Sequence, residues 1–219
     1  MKKFELTSET KINIFGKKLF RIKALVSFGV VKTGETGGWV EKEENVNQSG
    51  NAWVFGNAEV FGNAEVFGNA MVFGNAMVSG NAWVFGNAMV SGNAWVFGNA
   101  EVSDNARVFG NARVFGNAMV SGNAWVFGNA EVSDNARVFD NARVFGNADY
   151  ATIHGFGTQF RTTTFFRCKD KQVKVSCGCF YGTIPEFREQ VKNTRKGKIA
   201  EEYLMIADLM EKHFAEEAK

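Results

Sequence analysis

The chain is poor in the residues that most often carry chemistry. It has one proline (Pro185), two histidines (His154 and His213) and three cysteines (Cys168, Cys177 and Cys179) in 219 residues. Two imidazoles cannot build a three-histidine zinc centre. An odd number of cysteines in a chain this long does not suit a disulfide framework; it fits reduced thiols and a cytoplasmic location. Long apolar runs are missing too, and none approaches the ~18 residues of a membrane helix. The opening MKKFELTSETKINIF has the lysines of a secretion signal without its apolar stretch. A strong charge of one sign is also lacking: 25 Lys/Arg against 23 Asp/Glu leave +2. Neither a nucleic-acid nor a membrane partner is expected from that balance.

The shortages are sharpest in the middle. Residues 51–149 contain no Lys, Thr or Pro and carry four Arg against eight Asp/Glu, whereas residues 1–50 and 150–219 are each +3. What fills the middle is a single phrase, (Gly/Asp)-Asn-Ala-x-Val-(Phe/Ser). Asn-Ala recurs at every sixth position from Asn51 to Asn147, 17 times without an insertion, and Val follows two positions after Ala 16 times. So short and strict a period specifies a solenoid. In Ala-x-Val-Phe an extended strand puts Ala and Val on one face and x and Phe on the other. Because x includes Glu and Arg, which are rarely buried unpaired, Ala and Val point inward. Gly-Asn supplies the bend, since both residues tolerate positive φ. Stacked coils would then align the asparagine amides for hydrogen bonding along the stack.

Written from Val, the unit Val-x-Gly-Asn-Ala-x resembles the hexapeptide repeat of left-handed parallel β-helices, with an aliphatic residue first and a small one fifth. The resemblance implies a triangular solenoid with three hexads per coil, five or six coils here, and a left hand. The flanks LFRIKALVSFGVVKTGETGGWVEKEENV and TTTFFRCKDKQVKVSCGCFYGTIPEF resemble a group of phage, prophage and bacterial proteins labelled hexapeptide transferases. The expected organisation is a β-rich N-terminal cap over residues 1–49, the hexapeptide-repeat β-helix over 50–149, and a C-terminal α/β cap over 150–219.

Solenoid ends expose unpaired strand edges and need caps. KINIFGKKLFRIKAL predicts a hairpin around Gly16-Lys17. Val40 and Val46 fall in phase with the Ala positions, so a degenerate first coil is expected from about Gly38. TTTFFRC and VKVSCGCF predict a second hairpin around KDK. Thr183, Pro185 and Glu186 mark a helix start. Ile199, Tyr203, Ile206, Met210 and Phe214 then form an apolar stripe expected to pack on the solenoid end.

Hexapeptide acyltransferases, by resemblance, use a histidine as general base beside a CoA site between the subunits of a trimer, with loops breaking out of the coils. His154, in TIHGFG, is the candidate base here, although no excursion loop or adjacent carboxylate is evident and a turn or cap residue is the plain reading. His213 falls on the terminal helix. The two histidines rule out the usual three-imidazole ligand set of hexapeptide-fold carbonic anhydrases. The cysteines could join His154 on zinc, but their spacing matches no standard site. Val173, Val175, Cys177 and Cys179 share a strand face and read as buried small residues, so no metal is expected. TGETGG at residues 33–38 lacks the Lys-Ser/Thr of a phosphate loop and reads as a turn.

The outer surface remains. Of the 16 positions after Val, 11 are Phe and five are Ser. With three hexads per coil, Phe55 aligns with Phe73, Phe97 with Phe115, and Phe109 with Phe127 and Phe145. Such ladders rigidify corners, and partly exposed rings together with outward Trp and Met also make an interface. The most apolar side carries Trp53, Met71, Met89, Arg107, Trp125 and Arg143. Residues 125–149 copy residues 95–119 at 23 of 25 positions. That shift of five hexads is not a whole number of coils, so copied residues land on different sides, which argues against one catalytic side. A Thr array for ice and dense negative charge for DNA mimicry are both missing.

The expectation is therefore a left-handed parallel β-helix acting as a non-catalytic scaffold without a cofactor, with a phage origin suggested by the resemblance. It would use Trp53, Phe55, Met71, Phe73, Met89, Arg107, Phe109, Trp125, Phe127 and Arg143 for homo-oligomerisation as a trimer or dimer, or for capture of an unidentified protein or small molecule. The alternative is a trimeric acyltransferase that uses acetyl-CoA or another acyl-CoA with His154 as base. A third reading, sequestration of a host defence nucleotide, comes only from the phage occurrence of the similar proteins.

Overall fold

A computed structural model describes residues 2–215. Strand β1 (Phe4–Ile12) pairs antiparallel with β2 (Lys18–Ala24), which pairs with β3 (Thr36–Val40). Sixteen two-residue strands follow, from β4 (Trp53–Val54) to β19 (Arg143–Val144), one for each repeat. They stack in parallel into the three walls of a β-solenoid of about six coils. Every Ala and Val of the repeat from Ala52 to Val144 is fully buried, so the interior is a column of small aliphatic side chains.

The backbone explains the fidelity of the phrase. The N–H groups of Asn, x and Phe/Ser donate one coil onward, as in Asn51 to Gly68 O at 2.7 Å, Trp53 to Ala70 O at 3.1 Å and Phe55 to Val72 O at 2.8 Å. The Gly/Asp position alone takes positive φ at the bend; Asn does not, contrary to the expectation that Gly and Asn share that role. A Cβ on Gly80 (φ +70°) would sit 2.9 Å from the backbone N and O of Gly98, so a side chain there crowds the next coil. Asp104, at φ 57°, is the exception within the stack, and its carboxylate accepts from Gly122 N at 3.0 Å. Asp134 and Asp140, with φ of 58° and 59°, occupy the same slot in the last coil, where no further rung crowds them. Asparagine amides run up all three corners, for example Asn81 Nδ2 to Asn99 Oδ1 and Asn99 Nδ2 to Asn117 Oδ1, both at 3.0 Å.

The first coil does not have the phase read from the sequence. Trp53 pairs with Met71, three hexads on, but Val40 pairs with Val60 and Val46 with Val66, each two positions further than that. Two extra residues within the segment 47–50 absorb the difference, so Val40 and Val46 occupy Val positions rather than Ala positions.

A parallel solenoid has chemically distinct ends, and each cap matches its end. At the N-terminal end carbonyls are left over. Lys3 Nζ donates to Ala52 O at 2.9 Å, Arg21 to Gly56 O at 2.8 Å, and the Asn45 amide to Gly62 O and Ala64 O. At the C-terminal end N–H groups are left over, and oxygens receive them. Asn147 Oδ1 accepts from Glu131 N, Thr164 Oγ1 from Arg137 N, and Asp149 Oδ2 from Phe145 N and Gly146 N. These partners satisfy groups that would otherwise recruit another strand edge.

The C-terminal cap is a four-stranded antiparallel sheet, β20 (Tyr150–Phe156), β21 (Arg161–Arg167), β22 (Val173–Cys177) and β23 (Phe180–Thr183), followed by helices α1 (Ile184–Thr194) and α2 (Gly197–Phe214). The β21–β22 hairpin and the Thr183/Glu186 capping box form as the sequence predicts. Alternation along β21 sends Phe166 to the solenoid core and Phe165 to a second core with Phe187, Tyr203, Ile206 and Met210. The helical stripe thus packs on the far face of this sheet and not on the solenoid end itself. No helix among the described residues is long and apolar enough to cross a membrane.

Candidate interaction surface

Register assigns each outward residue to one of three walls. The arginine wall stacks Trp53, Met71, Met89, Arg107, Trp125 and Arg143. The glutamate wall stacks Glu65, Trp83, Glu101, Met119 and Arg137. The hairpin wall stacks Trp39, Glu59, Met77, Trp95, Arg113 and Glu131.

The hairpin wall is largely occupied by the chain itself. Phe15, at the β1–β2 turn, packs on Phe61 and Trp95 with ring centroids 5.6 and 5.3 Å apart, and Trp95 Nε1 donates to Ser79 Oγ at 3.1 Å. Its charges are matched internally by Lys11–Glu59 at 2.8 Å and Arg113–Glu131 at 3.2 Å.

The arginine wall stays open above its first rung. Trp53 is the exception among the predicted interface residues: it is fully buried, with Phe4 and Phe28 set edge-on at 5.8 and 5.4 Å. The start of the chain and the segment before β3 cover it, so it packs inside the chain and, contrary to the expectation, offers no surface on this wall. Met71 and Met89 are half-buried and Arg107 is exposed. Trp125 lies between two guanidiniums, Arg143 at 4.3 Å and Arg107 at 5.2 Å from its ring centroid. Arg143 is anchored by donating to Ala142 O at 2.8 Å and Asn123 O at 2.9 Å.

The corner beside this wall carries a short aromatic ladder. Phe109 and Phe127 stack at 5.0 Å, and Phe145 meets Phe127 edge-on at 5.2 Å. Phe97 stacks on Phe115 as predicted, and Phe67 on Phe85 forms a further pair that the same count of three hexads could have found. Phe55 and Phe73 align by register, but no ring stacking joins them among the described contacts; Phe55 instead packs against the solenoid core. Phe73 and Phe145 remain exposed.

The residues weighed for chemistry do not converge. His154 is exposed on β20, and its Nδ1 lies 3.3 Å from Thr162 Oγ1. His213 is at the end of α2, edge-on to Phe214. Cys168 is buried against the last coil, and burial pushes its thiol up to about 11. Cys177 is half-buried and accepts from Thr163 Oγ1 at 3.1 Å, while Cys179 is exposed in the β22–β23 turn, not buried as the strand pattern suggested. Among the described residues no three His, Cys, Asp or Glu side chains gather as metal ligands. A cavity of about 160 Å³ in the cap is walled by Arg161, Cys177, Cys179, Tyr203 and neighbours; His154 is not part of it.

Sequence reasoning missed two aspartates. Asp140 and Asp149 stand where the copied segment has Gly110 and Met119, the two departures in that copy. Both dock the C-terminal cap: Tyr181 Oη donates to Asp140 Oδ2 at 2.6 Å, and Asp149 Oδ1 lies 3.4 Å from Arg167 Nε. The departures themselves were the available signal.

A family model described as the YdcK beta solenoid repeat matches residues 82–98 and 112–128. These two segments are identical at 16 of 17 positions, differing only at Trp83 and Arg113. The similarity supports a β-solenoid repeat and covers a minor part of the chain. No curated protein matches it.

Proposed function

We propose that this protein is a non-catalytic solenoid scaffold that works by self-assembly through its side walls. The Arg107–Trp125–Arg143 stack carries the reading. It combines a half-buried indole, two guanidiniums and the adjoining Phe ladder on a wall that neither cap covers above Trp53. Tryptophan and arginine are among the residues most enriched where binding energy concentrates. The end caps favour lateral over end-to-end contact, because several of the leftover carbonyls and N–H groups at the two ends already have partners within the chain. Capture of a separate protein or small molecule on the same wall is the second use of that surface.

The test is native mass spectrometry of the purified chain with and without acetyl-CoA. An oligomer indifferent to CoA supports the scaffold. A trimer that gains up to three CoA-sized masses would instead favour the acyltransferase, whose activity His154→Ala would have to abolish. A monomer at all concentrations overturns the self-assembly reading.

A further inference from the structure

The three walls differ in how their charges are satisfied. On the hairpin wall Glu59, Arg113 and Glu131 all have partners within the chain. On the other two walls, among the described residues, Glu65, Glu101 and Arg107 have no oppositely charged partner, and Arg143 donates only to backbone carbonyls. Leaving aside Arg137, which also has no oppositely charged partner among the described residues, the unmatched charges sort by sign into triads of the same form. On one wall Trp83 stands between Glu65 and Glu101, one rung to each side; on the other Trp125 stands between Arg107 and Arg143. Trp83 is 45% exposed and Glu65 is exposed, while Glu101 and Trp125 are half-buried.

We propose that the Glu65–Trp83–Glu101 triad of one copy docks on the Arg107–Trp125–Arg143 triad of a second copy. The inference rests on the self-assembly reading above and adds which two walls meet. Three physical points support a second copy as the occupant. Both triads place charge, indole and charge at the same rung spacing of ~4.8 Å, so a second solenoid of this repeat matches them residue for residue. The charges are opposite, so contact neutralises groups that the single chain leaves unpaired. Each triad is symmetric about its tryptophan, and the match therefore holds with the two solenoid axes running either way. Arg137, two rungs beyond Glu101, lies beside the C-terminal cap and outside the triad.

The two triads lie on different walls of one chain, so the contact is heterologous. Each copy in a pair keeps one of its triads free, and assembly proceeds to rings or chains. Exposed ion pairs contribute little individually. The indoles and the Met71 and Met89 surface would supply most of the affinity, while the charges select the pair of walls and make assembly salt-sensitive.

Charge reversal followed by mixing tests this. Sedimentation velocity would be run on the full chain, on Arg107→Glu/Arg143→Glu, on Glu65→Arg/Glu101→Arg, and on an equimolar mixture of the two variants. Each variant alone is expected to associate at least ~10-fold more weakly than wild type, because like charges then face each other. The mixture is expected to recover assembly, since each variant keeps the wall that fits the other. Circular dichroism checks folding. Should the arginine double variant misfold through loss of the Arg143 carbonyl contacts, Arg107→Glu alone carries the same test, since Arg107 is exposed and makes no backbone hydrogen bond through its side chain among the described residues. Wild-type assembly that ignores both reversals, or a mixture that stays dissociated, overturns the paired walls and leaves self-assembly standing. A monomeric wild type overturns both.

Discussion

The Tyr181 hydroxyl donates to Asp140 Oδ2 at 2.6 Å, joining a strand of the C-terminal sheet to a bend of the last coil. Asp140 holds φ +59° in a slot that is glycine through most of the stack, and its other oxygen accepts from Asn141 Nδ2 at 3.1 Å. The last coil therefore exchanges an amide ladder for an anchor.

That anchor predicts a coupling. Asp140→Gly restores the repeat consensus and Tyr181→Phe removes only the donor. Each is expected to lower stability by about 1–2 kcal/mol, and a double-mutant cycle in urea should show that the two losses overlap. Burial and the Asp140 hydrogen bond raise the tyrosine above its usual value. Above pH ~10 the unfolded chain loses this proton first, so wild-type stability should fall with rising pH and the Tyr181→Phe variant should fall less. Additive losses would exclude a coupled pair.

Lys3 predicts the opposite pH dependence at the other end. It is 4% exposed, and burial lowers its ammonium from 10.5 to about 8. Between those values the unfolded chain binds a proton that the native chain does not, so stability rises with pH across the window. The increment is up to about 3 kcal/mol at roughly 1.4 kcal/mol per pH unit. Wild type minus Lys3→Met, compared by denaturation at pH ~7.5 and pH ~11 on either side of that window, isolates it. An equal difference at both pH values would rule out the shifted lysine.

Much of this fold was legible because the hexad repeats its constraints. Ala and Val at fixed spacing define the interior, and register follows from counting hexads in threes. Counting failed where the count itself changes, at the two extra residues within the segment 47–50. It also failed where a distant segment decides the environment. Trp53 has the same local sequence as Trp83 and Trp125, yet Phe4 and Phe28 bury it. The wall charges were each visible, but their sorting into partnered and unpartnered sets depends on Lys11 and Phe15 folding over one wall only.

The asparagine corners predict position-dependent losses. Asn99 both accepts from Asn81 and donates to Asn117, each at 3.0 Å, whereas among the described residues the Asn135 side chain only accepts, from Asn117 at 3.2 Å. Asn99→Ala should cost about 1–2 kcal/mol and Asn135→Ala about half of that, read as shifts in thermal midpoint. Asn99→Asp keeps the acceptor and loses the donor, so it should fall between wild type and Asn99→Ala at neutral pH. Midpoints unchanged from wild type in all three variants would mean that the ladder bonds exchange with water at no net cost.

Trp53 separates packing from recognition on the arginine wall. A Cβ on Gly37 would come within 2.6 Å of Trp53 Cζ2, so the backbone already yields to this ring, and the indole Nε1 is buried without a hydrogen-bond partner. Trp53→Ala opens a cavity under Phe4 and Phe28 and is expected to cost about 3–5 kcal/mol. Trp53→Phe loses volume but also removes the orphaned N–H, whose burial costs about 1–3 kcal/mol, so its net loss should stay below ~2 kcal/mol. Trp125→Ala, on the same wall with its ring between two arginines, should change stability less than Trp53→Ala and weaken self-association more. Denaturation midpoints and sedimentation on the same three variants check both halves. If Trp53→Phe dissociated the assembly while remaining folded, the first rung would belong to the interface after all and the covering of Trp53 by the N-terminal segment would have to open on association.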